Sequence, residues 1–252
     1  MAPPGSLEHE EMAAIYQAEY PRTEIPVTDP FVVIELSAAH NLPGSTPGAP
    51  RHQGLWRRWW VSVTLGELLG FAAPAMVATL VRDAAPASAA LALLLAGAIE
   101  GTVLGWFQAR VLRTVVHGLR SGDWILATAL GALLAWSIGV IPVAADDSLA
   151  SVPPALLIPA AVVGGTIMLL SIGLTQWSVL RHRLHHAGQW IWATALAWLA
   201  GLACFTAFTT PLWQPGQSSL RIVSIGLVGG LLMAAIMSAV TGAFLVRILR
   251  AQ

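Results

Sequence analysis

The chain has 252 residues, of which 56% are hydrophobic and only 10% charged, against about 25% charged in an ordinary soluble domain. Mean hydropathy is +0.69, and thirteen acidic side chains balance thirteen basic ones. These figures exclude a disordered chain and a nucleic-acid binder and argue against a soluble enzyme. They point to a polytopic helical membrane protein.

Residues 1–58 differ from the rest. They hold seven of the thirteen acids, Glu8, Glu10, Glu11, Glu19, Glu24, Asp29 and Glu35. The first residues, MAPPGSLEHEEM, are acidic and lack an apolar core, so the first spanning helix is expected to direct insertion. Ser6 can cap a short helix reaching to about Glu19. Pro21, Pro26 and Pro30 then favour extended chain, residues 31–36 (FVVIEL) are β-prone, and NLPGSTPGAP has linker composition. The segment reads either as a solvated acidic tail or as a docking segment. In the second reading Tyr16, Tyr20, Phe31 and Ile34 lie against other membrane-complex subunits or the bundle itself.

Residues 59–252 are expected to form the transmembrane bundle. A helix needs about 20 apolar residues to cross the hydrocarbon layer. Six runs qualify: 59–81, 89–112, 124–145, 154–180, 190–212 and 221–249. They do not alternate polar and apolar residues, which favours helices over a barrel. All thirteen basic residues are arginine, a compositional hint of a bacterial source. Arg51, Arg57, Arg58, Arg110, Arg113, Arg120, Arg181, Arg183, Arg247 and Arg250 fall on one side of the spans. Only Arg82 and Arg221 fall on the other. The positive-inside rule then predicts a multi-pass protein of the bacterial inner membrane with both termini cytoplasmic. Trp59, Trp124 and Trp190 stand where an interfacial aromatic belt is expected. Arg113, Arg181 and Arg250 are expected to meet lipid headgroups or complete helix ends. Pro74 and Pro159 are expected to kink the first and fourth helices.

The runs repeat. WWVSVTLGELLGF from Trp59, WILATALGALLAW from Trp124 and WIWATALAWLAGL from Trp190 open alike. GWFQARVLR from Gly105, GLTQWSVLR from Gly173 and GAFLVRILR from Gly242 close alike. The expected architecture is all-α: three tandem helical hairpins, about 59–123, 124–189 and 190–252, in a pseudo-threefold bundle of six helices. The stretch GLTQWSVLRHRLHHAGQWIWATALAWLAG resembles a group of uncharacterised bacterial membrane proteins, in which G-x-x-Q-W-x-V-L-R precedes a Trp-led helix. The resemblance covers helices two to five. It implies fold and membrane location, and no activity. The third copy departs from the pattern, with Leu245 where Gln108 and Gln176 stand.

Few residues carry chemistry. Glu67 and Glu100 are the only ionisable side chains deep within the spans, and an intramembrane carboxyl is a functional-site candidate by default. Counted from the turn near Ala85, their depths differ by about 5 Å. Both sit beside small-residue motifs that let helices approach closely. Where Glu67 stands the other copies hold Ala132 and Trp198, and for Glu100 they hold Met168 and Met237. Three readings stay open: a neutral pair bonded to each other or to Thr64 and Thr102, a proton- or cation-handling site, and a grip on another subunit's cation. Gln108 and Gln176 keep the repeat, and read as interhelical hydrogen bonds or as the lining of a polar vestibule. His182, His185 and His186 read as an interfacial cationic patch. A lone Cys204 rules out an intrachain disulfide, and no metal, cofactor or catalytic residue is expected. No nucleophile–base pair, HExxH or phosphate loop is present, so the chain is not expected to be an enzyme. The reading favoured by sequence is a non-catalytic accessory or scaffold subunit of a larger membrane complex. The alternative is a small transporter or channel that uses Glu67 and Glu100.

Overall fold

The structure is a computed structural model, and it describes residues 49–252. The features expected of residues 1–48, including contacts through Tyr16, Tyr20, Phe31 and Ile34, lie outside the described residues. Six long helices make up most of the described chain, which includes no strand. They are α1 (Ala49–Leu80), α2 (Pro86–Leu112), α3 (Ser121–Gly139), α4 (Pro154–Leu180), α5 (Gln189–Thr209) and α6 (Ser219–Arg250). All six spans are long and apolar enough to cross a membrane, α3 together with the short helix Ile141–Ala145 that succeeds it. This is the character of a multi-pass membrane protein. Helices suit that setting because each satisfies its own backbone N–H and C=O groups.

Proline sets several helix ends. Pro86 and Pro154 open α2 and α4, where the missing N–H costs nothing. The third run was expected to be helical through 145, but α3 stops at Gly139. Pro142 explains the break, since it offers no N–H and its ring crowds the preceding turn. The helix resumes briefly as Ile141–Ala145 before a 3-10 turn, Asp146–Ser151. Pro74 and Pro159 lie inside α1 and α4 without ending them. At the other extreme, α1 begins at Ala49, ten residues ahead of the apolar run that starts at Trp59.

Short connections make chain neighbours antiparallel. Each helix packs on the next, and α6 returns to pack on α1, so the six form a closed ring in chain order. The main apolar core sits at the arginine-rich end. It gathers Trp59, Trp124, Trp190, Leu112, Leu180, Leu245 and Ile248, none more than 1% exposed. At the other end the ring loosens, and residues 154–163 of α4 are exposed on every face. Large apolar side chains such as Leu69, Met76, Leu91, Leu156 and Leu227 cover the outside, a surface suited to lipid contact.

Small residues set the helix spacing. At Gly131 a Cβ would lie 2.7 Å from Ile172 Cα and 2.5 Å from Thr175 Oγ1. The first of these is backbone, so α4 would have to move. By contrast, a Cβ at Gly165 meets nothing within 4 Å. Gly131→Ala is therefore expected to destabilise the bundle by about 1–3 kcal/mol, read as a lower melting temperature in detergent. Gly165→Ala should leave that temperature unchanged or raise it slightly.

Candidate functional site

The site begins with three tryptophans. Trp59, Trp124 and Trp190 were expected at the lipid interface, but each is 0% exposed. They point inward and meet one another at the arginine-rich end. Trp190 lies edge-on to Trp59 and Trp124, with ring centroids 5.7 and 6.0 Å apart. A buried indole must find an acceptor for its N–H, and each finds one on the helix beside it. Trp124 Nε1 donates to Gln108 Oε1 of α2 at 3.1 Å. Trp190 Nε1 donates to Gln176 Oε1 of α4 at 2.8 Å. Trp59 Nε1 donates to Thr241 Oγ1 of α6 at 3.0 Å, where Leu245 leaves no amide to serve. The indoles exposed at this end are those of Trp56, Trp106 and Trp192.

The glutamines also bond to each other. Gln176 Nε2 donates to Gln108 Oε1 at 2.8 Å and to Thr128 Oγ1 at 3.0 Å. One amide therefore ties α4 to α2, α3 and α5. Both glutamines thus make interhelical bonds, and Gln108 also borders a small cavity.

Beyond this layer the helices leave space between them. A cavity of about 10 Å³ lies between Glu67, Gln108, Thr194 and Thr241, room for roughly one water. Further from the arginine-rich end lies a larger cavity of about 260 Å³, walled by residues from all six helices. The two share Leu104, Ile172 and Trp198 in their walls. The larger one is almost wholly apolar, and Glu100 is its single ionisable side chain among the described residues.

Both acids are buried, Glu67 at 4% and Glu100 at 7% exposure. Glu100 is held from the neighbouring helix, where Trp136 Nε1 of α3 donates to its Oε2 at 2.8 Å. Gly97 makes this possible, because any side chain there would collide with the Trp136 ring. Gly70 lets α1 approach α2 closely, its Cβ position falling 3.0 Å from the Glu100 carbonyl oxygen. No hydrogen bond joins the two carboxyls among the described residues, and Glu67 accepts none there. Thr102 donates to Ala98 O of its own helix, and the Thr64 hydroxyl has no partner among the described residues. Neither threonine satisfies an acid.

The remaining candidates lie at the arginine-rich rim. Arg113, Arg181 and Arg250 are exposed, and Arg181 stacks 5.2 Å from the Trp177 ring centroid. His182 accepts from Arg181 Nε at 3.1 Å. Gln252 clasps the connection that carries the histidines, accepting from the His185 amide and donating to its carbonyl. No group of three His, Cys, Asp or Glu side chains fit to hold a metal occurs among the described residues.

Sequence reasoning missed Trp136, the residue that holds Glu100. A signal was present: Trp136 follows Trp124 by the same interval as Phe71 follows Trp59, and Phe71 also walls the cavity. Phe205 and Met233 were missed as well, since nothing in an apolar run marks which residue faces a void. Comparison with protein-family models, curated proteins and solved structures finds no match to this chain.

The Gln176 amide should be worth more than one bond. Gln176→Leu is expected to destabilise the bundle by about 1–3 kcal/mol, because it strands the Trp190 N–H in a dry core. Combined with Trp190→Phe the loss should be less than additive, a coupling of about 0.5–3 kcal/mol in a double-mutant cycle of unfolding measurements.

Proposed function

We propose that the chain is a small transporter whose substrate path runs through the centre of the six-helix ring. The observation that carries this reading is the 260 Å³ cavity walled by all six helices, with the carboxyl of Glu100 held in its wall. Glu67 stands one step along the axis, in the smaller cavity toward the arginine-rich end. The three indoles and the two glutamines close the path there, so passage requires that layer to move. A proton or cation would be handed between the carboxyls, the costly residues that an apolar bundle has no structural need to carry.

The reading includes a pseudo-threefold origin for the bundle, as three tandem hairpins. Its support is positional. Glu67, Ala132 and Trp198 follow their Trp by one interval, and Phe71, Trp136 and Leu202 by another; Glu100, Met168 and Met237 precede their Gly alike. All nine border one of the two cavities. The acids are thus the polar exceptions on a symmetric inner wall. The arginine-rich end is assigned to the cytoplasm of a bacterial cell, with both ends of the bundle inside, by the positive-inside rule.

A second reading, a non-catalytic accessory subunit of a larger membrane complex, draws on α4. Its residues 154–163 leave every face free for a neighbouring helix. Purification in mild detergent separates the two, since an accessory subunit brings stoichiometric partners and a transporter runs as this chain alone. For transport, the test is proton or cation flux in vesicles carrying the full chain. Glu100→Gln and Glu67→Gln should each lower the flux by about tenfold or more; unchanged flux in both variants overturns the reading.

A further inference from the structure

We infer that the larger cavity binds a small organic cation with an apolar body, its charge set against Glu100. The inference rests on the proposed central site and names its ligand class. Three features of the wall carry it. First, Phe71, Trp136, Trp198 and Phe205 supply four aromatic rings, and aromatic faces attract cations most strongly where water is excluded. Second, Glu100 is the single ionisable group in that wall among the described residues, and no basic side chain stands there to neutralise it. Its Oε2 is taken by the Trp136 indole; its Oε1 has no hydrogen-bond partner among the described residues. A bonded, oriented carboxyl facing an apolar void is prepared to receive positive charge, and pre-organisation of this kind saves the cost of ordering on binding. Third, Met168 and Met233 complete the wall, adaptable side chains that tolerate varied apolar shapes.

Size and chemistry narrow the class. At about 260 Å³ the cavity lies just below the usual range of drug-sized pockets, about 300–1,000 Å³, so it admits a compact body. A bare metal ion is a poor match, because the wall offers almost no oxygen beyond the one carboxyl, and hard cations need several. An anion would meet no positive charge in this wall. A neutral hydrocarbon would fit the shape and leave the carboxyl unanswered. An amine or quaternary ammonium bearing an aromatic or branched aliphatic group answers both.

The test uses the full chain in lipid nanodiscs, with benzyltrimethylammonium as the probe and its neutral carbon isostere, neopentylbenzene, as the comparison. Binding is read from tryptophan fluorescence and by calorimetry. The native protein is expected to bind the cation at least about tenfold more tightly than the isostere. Glu100→Gln should remove that preference while leaving affinity for the isostere within about twofold. Ala135→Phe, which adds bulk from another wall of the cavity, should abolish binding of both, and it keeps the inference testable should Glu100→Gln fail to fold. Equal binding of cation and isostere, no binding of either, or cation binding indifferent to Ala135→Phe would each overturn the inference. Binding and flux fail separately. A cation that binds through Glu100 but is not moved sinks the transport reading alone. Glu100-dependent proton flux without binding of the cation sinks the ligand class alone.

Discussion

An indole N–H buried in an apolar bundle must be answered by another polar group of the protein, because leaving it without an acceptor is costly. Most of this bundle depends on meeting that demand three times. Trp59, Trp124 and Trp190 each lie on an odd-numbered helix at the arginine-rich end, and each bonds to a residue on the preceding even-numbered helix, with α6 serving α1. These bonds fix which helices are neighbours and at what height. The indoles then stack edge to face and fill the centre of that end. Packing alone would specify less, since leucine and alanine faces slide past one another without losing a defined partner.

The filled end makes the empty one intelligible. Two turns along the axis the side chains that face inward change from large and polar to a mixture of alanine, glycine, methionine and aromatic residues, and the centre of the ring is left unfilled. Glu100 sits at that transition, steadied by Trp136. It lies between a filled layer at the arginine-rich end and a more exposed far end, where residues 154–163 of α4 are all exposed.

How much of this could be read from the chain alone varies with the physics involved. The six spans were legible because hydrocarbon thickness imposes a length and a composition together, and the proline at 154 marked a true start. Pro142 is equally visible, yet its effect on α3 is masked because the apolar run continues past it. The direction of the tryptophans was not legible. A Trp at a helix start suits an interfacial belt and an inward core equally well, and only the partner across the helix seam decides. The pairing of Gln108 with Gln176 was foreseeable as a type of interaction but not as a contact, because their separation in sequence says nothing of ring order. Glu67 and Glu100 were conspicuous for their charge. Their surroundings were not, since a void is defined by side chains that are individually ordinary.

Closing the ring through α6 has a wider consequence. Because α6 packs on α1, Trp59 is served by Thr241, 182 residues later in the chain. The other two indoles find their acceptors within 16 and 14 residues. In assembling the bundle, therefore, the Trp59 indole lacks this acceptor until α6 is in place. The α2–α3 and α4–α5 contacts join helices adjacent in the chain, whereas α1 and α6 must find each other across the whole bundle. The ring is in this sense a clasp, in which α6 secures α1.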